Sequence, residues 1–443
     1  MRLSTFPRTG ILCAVLLGSS ACEQSLPEGA SSQVIDTPTI IERSYEARIG
    51  TAFDTPDSPP ITGVVATEIE LPAEGGDSIW GALGVTAETN VWAGISGSGS
   101  KGGQLLSLKA VDNVARSRGS VADQRIPDQS PEANQTQSKI HSRIREADDG
   151  FVYFTSMDET NESWRDKQLP QYGGRLWRLK PGQKAWEQVM TTPEALIALE
   201  TTGRYVYALG YWGHVLYQFD TSSGRTERLQ IGSDCGHVSR NFLVDLREHV
   251  YVPKVVSKPG STECRAEDMT VSLVEVSPTM QVVAAHALPD YLGISAAHQS
   301  QGITAYAYRQ DESIIFSTMN GDLYHLIAHG RQPALILPLG NMLPGTKSKV
   351  TNLVSLDGKS LLGAAVMLRG KQEKGLHWLV HDTSTTDTRT IPINLPADLQ
   401  PFKAVLLYGS GIRDGQGHVY VGGRIQHQSG RIRPLLLRLS FVR

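Results

Sequence analysis

The hydrophobic and polar positions along the chain follow one pattern seven times. In each copy an apolar strand is followed by a turn that often contains Asp or Gly, then by a second strand with an aromatic residue or Leu near its centre, and then by a third strand. Apolar and polar residues alternate with a period of two, which is the period of a strand and not of a helix. The central residues of the seven second strands are Trp92, Tyr153, Tyr207, Tyr251, Phe316, Leu362 and Tyr420.

Seven antiparallel sheets of this size predict an all-β fold, a seven-bladed β-propeller, in which each blade buries its apolar faces only against its neighbours. Turn pairs such as Asp149-Gly150 join the strands as hairpins. The last blade has only three strands of its own. We expect the segment from Ala66 to Ala73 to complete it from the N-terminal side and so to cover an exposed sheet edge.

Composition and charge reduce the number of functions that this protein could have. The chain has 443 residues, of which 40% are hydrophobic and 20% charged, as in folded globular proteins. Its 42 Lys and Arg against 45 Asp and Glu give a net charge of −3, so no basic surplus exists to bind a nucleic-acid backbone. No apolar run reaches the roughly 20 residues that a membrane-spanning helix needs.

The N-terminus has the order of a secretory signal. Arg2 and Arg8 precede an apolar stretch, and small residues then lead to Cys22. This end resembles a bacterial lipobox, which implies that Cys22 receives a lipid, with plain secretion as the alternative. We therefore expect a signal peptide over 1–21, the lipidated cysteine and a flexible tether over 22–60, and the propeller over 61–443. Localisation would be the cell envelope, at the outer membrane or facing the periplasm, with membrane contact only through the lipid.

The predicted secretory signal makes the cysteine count informative. Cys13 leaves with the signal and Cys22 takes the lipid, so Cys235 and Cys264 are the remaining pair in an oxidising compartment, where a disulfide is expected. Cys235 precedes the first strand of the fourth blade, and Cys264 lies between its second and third strands. Both kinds of loop emerge on one face of a propeller, which we name the loop face and expect to bind the ligand.

Several first strands begin with residues suited to an anionic substrate: His141 and Arg143 in the second blade, His237 and Arg240 in the fourth, and His298 and Gln299 in the fifth. A neutral imidazole can serve as a general base or metal ligand, and a guanidinium can hold a carboxylate. His141 and His237 are the catalytic candidates, and the other four are binding candidates. The structural alternative is that His237 only bonds Ser239 and Asp245 within its own blade, as in WD-type propellers.

Loop aromatics and acids add further candidates. Trp164, Tyr211 and Trp212 could stack on a sugar ring or a partner. Acidic side chains in the long loop of the second blade could hold a cation or form a solvated surface, and their spacing matches no metal motif: Asp158, Glu159, Glu162 and Asp166. The cofactor is unknown from the sequence, and a divalent metal stays open.

The stretches KIHSRI, GRYVYALGYWGHVLYQFD and CGHVSRNFLVD resemble those of exported bacterial seven-bladed propeller lipoproteins, broadly streptogramin-lyase-like and quinoprotein-like. Lyases of that collection use a metal and a histidine base. The tryptophan repeats by which quinoproteins bind their quinone are missing from this sequence. Two functions remain. The first is a monomeric, envelope-anchored binding module for a protein or carbohydrate ligand. The alternative is a metal-assisted lyase or hydrolase acting on an anionic sugar or ester.

Overall fold

The strands of this chain form seven sheets in the order of the sequence, each with four main strands. A computed structural model describes residues 59–443 apart from 73–74, 89, 98–101, 125–132, 134–135, 262, 310, 329, 346–347, 357–359, 370–371, 400–403 and 408–410. In six of the sheets the strands pair antiparallel in sequence order, from an innermost first strand to an outermost fourth strand. In the seventh sheet the fourth strand comes from the start of the described chain, and a short outer strand pairs with it in parallel. This is the predicted seven-bladed β-propeller.

The first described strand, β1 (Gly63–Glu68), belongs to the last blade. Blade 1 consists of β2 (Leu83–Val85), β3 (Asn90–Ile95), β4 (Gln104–Lys109) and β5 (Arg116–Ser120). Blade 2 consists of β6 (Lys139–Ile140), β7 (Arg145–Glu146), β8 (Val152–Met157), β9 (Gly174–Leu179) and β10 (Glu187–Thr192). Blade 3 consists of β11 (Leu196–Thr202), β12 (Tyr205–Gly210), β13 (Val215–Asp220) and β14 (Thr226–Gln230). In blade 2 the first strand is broken, so β6 and β7 both pair with β8.

Blades 4 to 7 follow the same plan. Their strands are β15 (Leu243–Val244), β16 (Val250–Ser257), β17 (Met269–Val276) and β18 (Val282–Ala287); β19 (Ile303–Tyr308), β20 (Ile314–Thr318), β21 (Asp322–Ile327) and β22 (Leu335–Asn341); β23 (Ser348–Ser355), β24 (Ser360–Arg369), β25 (Gln372–Asp382) and β26 (Thr388–Ile391); and β27 (Ile393–Asn394), β28 (Ala404–Leu407), β29 (Ile412–Arg413), β30 (Val419–Gln426) and β31 (Ile432–Val442). The described helices are four 3-10 turns, over Val121–Asp123, Ala266–Asp268, Ala297–Gln299 and Ala397–Leu399, and among the described residues no helix is long and apolar enough to span a membrane.

The core lies between the blades, as the repeat predicts. All seven central residues of the second strands are at most 1% exposed, from Trp92 in blade 1 to Tyr420 in blade 7. Several of the tyrosines also reach an aspartate in the hairpin that precedes their strand. The Tyr153 hydroxyl donates to Asp149 at 2.6 Å, and the Tyr251 hydroxyl donates to Asp245 at 2.7 Å. The same aspartates accept backbone N–H groups of the hairpin, so one side chain fixes both the turn and the blade centre.

The last blade is closed by β1, which confirms the predicted closure, although the strand covers Gly63–Glu68 and not Ala66 to Ala73. β1 pairs antiparallel with β31 from Gly63↔Val442 to Glu68↔Leu437, three residues earlier than expected. Beyond it, Glu70 bridges to Val114 of blade 1 instead of continuing the strand. The carboxylate of Glu68 forms an ion pair with Arg433 across the closure. Residues 63–68 thus hold the first and last segments of the ring together.

The disulfide is present between the predicted cysteines. Cys235 and Cys264 are bonded, with their Cα atoms 5.7 Å apart. The bond joins the loop before β15 to the loop between β16 and β17, and both half-cystines pack against the apolar cluster between blades 4 and 5. These two kinds of loop therefore do emerge on one face of blade 4.

Removing the disulfide should destabilise the fold. A variant with both Cys235→Ser and Cys264→Ser is expected to lose roughly 3 kcal/mol of unfolding free energy in the chain-entropy model, because the bond closes a loop with a sequence separation of 29 residues. Urea unfolding of the variant, compared with wild type with and without reductant, measures the loss. Equal unfolding free energies in all three samples would contradict the prediction.

Candidate functional site

The loop face carries a ring of side chains around the central channel, contributed by the loops that join one blade to the next. Trp80 comes from the loop before blade 1, His141 from the start of blade 2 and Arg240 from the start of blade 4. Arg424 reaches the same place from the end of β30, beside the loop to β31. We name these four residues the channel mouth.

Trp80 is the centre of the channel mouth. Its indole stacks on the His141 imidazole with a centroid distance of 6.5 Å and an interplanar angle of 9°. The Arg240 guanidinium lies 5.6 Å from the indole centroid and the Arg424 guanidinium lies 5.2 Å from it. Trp80, Arg240 and Arg424 are all half-buried, so an aromatic surface flanked by two cations faces the loop side of the channel.

His141 is buried within this group and is held in place. Its Nδ1 lies 3.2 Å from the Ile197 carbonyl oxygen of blade 3, which accepts a hydrogen bond. Burial lowers the pKa of His141 well below its usual value, and the nearby charges of Arg240 and Lys139 lower it further. The imidazole is therefore neutral at neutral pH, as a base requires, but one of its two nitrogens is already committed to the backbone.

Trp164 extends the aromatic surface across neighbouring blades. It stands in the long loop of blade 2, yet its ring stacks on His298 at the start of blade 5 with a centroid distance of 5.6 Å. On the way it covers Gly236 of blade 4, where a Cβ atom would lie 2.3 Å from the Trp164 Cγ. Gly236 also has a φ of +60°, so only glycine suits this position. We name the loop from Asp158 to Gly173 the blade 2 strap.

The acidic residues of the blade 2 strap serve mainly to fold it. The Asp158 carboxylate is buried and accepts backbone N–H groups of Thr160 and Tyr172, each at 2.9 Å. Glu159 forms an ion pair with Lys139 and accepts a hydrogen bond from the Tyr211 hydroxyl at 3.2 Å. These contacts anchor the strap to blades 2 and 3.

Two predicted binding residues pack beside the strap. The Tyr211 and Trp212 rings are 5.2 Å apart, with Tyr211 buried and Trp212 half-buried. Glu162 lies against Trp212, and burial, aided by the Glu159 charge, raises the pKa of Glu162 to about 8. Among the described part of the chain, no group of three or more His, Cys, Asp or Glu is placed to hold a metal ion.

His237 occupies a different environment from the channel mouth. It is fully buried, with ring centroids 5.1 Å from His214 and 5.6 Å from Tyr291. Burial lowers its pKa well below the usual value, and His214 lowers it further. The structural alternative, in which His237 bonds Ser239 and Asp245, is wrong. His237 Nδ1 instead lies 3.4 Å from Ser233 Oγ.

The reason is that the two expected partners are engaged elsewhere. Ser239 donates its hydroxyl hydrogen bond to the Asn241 carbonyl at 2.6 Å, and Asp245 accepts from Tyr251. His298 and Gln299, in contrast, are exposed on the 3-10 turn Ala297–Gln299 of the loop face. Each of the three candidate imidazoles thus has its own aromatic surroundings: Trp80 for His141, His214 and Tyr291 for His237, and Trp164 for His298.

Arg143 points into the channel below the mouth, where it joins a polar network that the sequence did not predict. Arg145 donates to both oxygens of Glu200, at 2.8 and 3.1 Å. The Tyr306 hydroxyl donates to the same carboxylate and accepts from Arg145 at 2.9 Å. The Arg143 guanidinium stacks over the Tyr306 ring at 3.9 Å. Blades 2, 3 and 5 therefore meet at one buried carboxylate, Glu200.

The residues that the sequence reasoning missed have a positional signal. Trp80 lies three residues before β2, in the same kind of inter-blade loop as Arg240, which was predicted. Comparing that position in every blade would have found it. Glu200 is the one charged residue of β11, and a charge within a first strand is a sign of an axial contact. Tyr306 and Arg424 carry no such signal.

Comparisons with known proteins concern the architecture alone. No family model matches the chain, and no curated protein matches it. Among solved structures it is similar to YCF48 bound to a D1 peptide, with a TM-score of 0.47 and 12% identity over 88% of this chain and 98% of that one. It is also similar to the WD40 β-propeller domain of Doa1, with a TM-score of 0.47 and 12% identity over 86% and 97% of the two chains.

The axial network yields a stability prediction. Glu200→Gln keeps the shape of the side chain but leaves two buried guanidiniums without their carboxylate, so the unfolding free energy should fall by about 3–5 kcal/mol. The matched control is Glu187→Gln, which breaks an exposed pair with Arg178 and should cost about 1 kcal/mol or less. Chemical denaturation measures both. Equal losses in the two variants would show that Glu200 does not hold the axis.

Proposed function

We propose that this propeller is a binding module whose ligand docks on the channel mouth and the blade 2 strap, and that the ligand is an acidic segment of a protein. The observation that carries the proposal is Trp80, half-buried at the channel mouth with the guanidiniums of Arg240 and Arg424 at 5.6 and 5.2 Å from its ring. An aromatic surface between two cations can bind a carboxylate and an apolar group of one ligand at the same time.

The chemistry of these residues favours a protein ligand. Tryptophan and arginine are the residue types most enriched at the energetic centres of protein interfaces. β-Propellers commonly serve as protein-binding scaffolds, because a rigid ring presents loops of variable length on one face. The blade 2 strap adds Trp164, half-buried on Gly236 and stacked on His298, at the side of the mouth. The aromatic groups thus extend over several blades, which suits an extended segment better than a single sugar ring.

The lyase or hydrolase alternative lacks a comparable observation. His141 is neutral, as a base must be, but its Nδ1 binds the Ile197 carbonyl and its ring is covered by Trp80. His237 lies among His214 and Tyr291. A base and its partner groups must share one site with the substrate, so the binding function is the better supported.

We also propose that the module is held at the cell envelope by a lipid on Cys22. The support is the sequence order of basic, apolar and small residues before this cysteine. The segment lies outside the described residues. A tether of several tens of residues after Cys22 would let the loop face reach partners away from the membrane surface.

Binding at the channel mouth can be measured with defined probes. Fluorescence anisotropy with labelled ten-residue peptides, one set rich in Glu and Asp and one in Lys, should show binding of the acidic set that weakens with added salt. Trp80→Ala and Arg240→Met should each raise the dissociation constant by roughly tenfold, as expected for centre-of-interface residues. Arg225→Met, exposed in the turn between β13 and β14 of blade 3, is the matched control and should change nothing.

Two outcomes would overturn this assignment. Binding of an oligogalacturonate with no binding of either peptide set would make the ligand a carbohydrate. Peptide binding that is unchanged in both mouth variants would place the ligand elsewhere on the propeller.

The anchor has an independent test. Cells expressing the full chain and fed an alkyne fatty acid should label the protein, and Cys22→Ser should abolish the label because the acceptor thiol is lost. Cys13→Ser, in the apolar stretch of the same leader, is the matched control and should keep the label. Labelling that persists in Cys22→Ser would exclude this anchor.

A further inference from the structure

Two buried histidines pack together where blade 4 begins, close in the chain to Arg240 of the channel mouth. His237 and His214 are fully buried, and their ring centroids are 5.1 Å apart. Nδ1 of His214 donates to the Pro253 carbonyl oxygen at 2.6 Å, whereas Nδ1 of His237 lies 3.4 Å from Ser233 Oγ. Nε2 of each ring is buried and makes no hydrogen bond among the described residues. The two imidazoles are therefore packed as neutral aromatic rings.

No carboxylate in the described part of the chain is placed to balance a positive charge on either ring. His214 is the titratable group that acts on His237 through its charge, and it disfavours protonation. Tyr291 stays neutral beside His237 because burial raises its pKa. The segments that carry these groups also hold charged side chains, which do not act on either ring through their charge: Asp234, Arg240, Lys254 and Asp290.

Burial therefore decides the protonation state of both rings. It lowers the pKa of His237 well below its ordinary value. It lowers the pKa of His214 to about 4, against the smaller effect of the Pro253 and His237 carbonyl groups, which favour the charged form. Protonation of either ring in place would bury a charge without a partner, which is costly.

Residues 236–240, which we name the blade 4 entry segment, can move without breaking a strand pair, because they belong to no strand. Immediately before them, Cys235 is held by its disulfide to Cys264. Immediately after them, the Asn241 amide donates to the Ile303 carbonyl oxygen at 2.9 Å. The segment is thus a short unit fixed at both ends, with His237 as its buried side chain nearest to the disulfide.

The blade 4 entry segment supports both parts of the proposed ligand surface. Trp164 of the blade 2 strap rests on Gly236, at the beginning of the segment. Arg240, at its end, lies 5.6 Å from the Trp80 ring at the channel mouth. His237 lies between these two positions in the chain. Expelling the His237 ring would therefore displace the support of Trp164 and the guanidinium beside Trp80 together.

We propose that the blade 4 entry segment is an acid-sensitive switch, in which protonation of His237 and His214 releases the segment from the propeller and takes the ligand surface apart. Its effect on the ligand rests on the proposed function, whereas the release of the segment does not. The His237 imidazole takes up one proton from water when it leaves the blade. The His214 imidazole takes up the second, because His237 no longer covers it.

Acid opens the segment and neutral pH closes it. The closed form keeps both rings neutral, so only the open form binds the two protons. An exposed imidazole has a pKa of about 6.5. The equilibrium constant for opening is therefore independent of pH well above this value, and it rises about tenfold per histidine for each pH unit below it. The stability of the closed form is complete above about pH 6.5 and is lost as the pH falls.

Hydrogen exchange of the purified protein measures the opening. The amides of His237 and Arg240 donate to the carbonyl oxygens of Asp234 and Gln301, each at 3.1 Å, so they exchange when the segment opens. After correction for the intrinsic exchange rate at each pH, their protection should fall by about 100-fold between pH 7.5 and pH 5.5, since two protons are taken up. The amide of Ala147, in a hairpin of blade 2, should keep its protection.

Two variants assign the protons. His237→Phe keeps a buried ring without a titratable group, and His214→Asn suits the φ of +50° at this position. Each variant should reduce the change in protection to about tenfold, because one titrating histidine remains. His427→Gln removes an exposed histidine of blade 7 and is the matched control, which should keep the change of about 100-fold.

The measurement on wild type applies even if a variant does not fold. Equal protection at the two pH values in wild type would refute the switch. An equal fall at Ala147 would refute it too, because the whole propeller would then be opening. The full wild-type change in both His237→Phe and His214→Asn would exclude these histidines as its cause.

An acidic peptide separates the switch from the proposed function. Its carboxylates are still mostly ionised at pH 5.5. Added there at a hundred times its dissociation constant, it should restore the protection of His237 and Arg240 by about 100-fold, because it binds the closed form. Peptide binding that leaves this protection unchanged would refute the link between the segment and the ligand. If no peptide binds at either pH, the proposed function fails, and the pH response of wild type still decides the switch.

Discussion

The arrangement of the whole ring depends on how three blades share the charge of Glu200. Blade 2 brings two guanidiniums to the axis, blade 3 brings the carboxylate and blade 5 brings the Tyr306 hydroxyl and ring. Groups from three separate repeats must meet with good hydrogen-bond geometry, because a buried ion pair offsets the cost of desolvation only when its geometry is excellent. The apolar contacts between blades fix their stacking, whereas this network fixes how the stack closes around its centre.

The same network divides the channel into two halves with different chemistry. On the loop side Trp80 is flanked by guanidiniums and is half-buried, so it can meet a ligand from solution. On the far side Arg143, Arg145 and Arg413 lie among the last residues of the first strands. Glu200 lies between these regions.

The blade 2 strap explains why the loop face is not symmetric. Its aspartate and glutamate contacts fold a long loop across blades 3 and 4 until Trp164 rests on Gly236 and His298. A loop secured at its base by Asp158 and Glu159 can present its tryptophan with little loss of chain entropy on binding. The disulfide between Cys235 and Cys264 restrains the surface on which that tryptophan rests.

The sequence predicted the architecture well because the packing pattern recurs in every blade. The polar residues along the axis differ from blade to blade, so no repeat predicts them. All seven anchors from Trp92 to Tyr420 are buried, since a blade can bury its second strand only against its neighbours. The disulfide followed from the cysteine count, and the strand order placed both cysteines on one face of the same blade. His237 shows the limit: its sequence neighbours Ser239 and Asp245 are engaged by Asn241 and Tyr251, and its real neighbours, His214 and Tyr291, are 23 and 54 positions away in the chain.

The pairing of β1 with β31 has a consequence for biogenesis. Residues 63–68 are made early and must wait for their partner, which spans residues 432–442 near the other end of the chain. The final blade cannot complete its pairing until residues 432–442 have been synthesised. Until then the ring stays open, and its unpaired edge is the segment that a chaperone would have to shield.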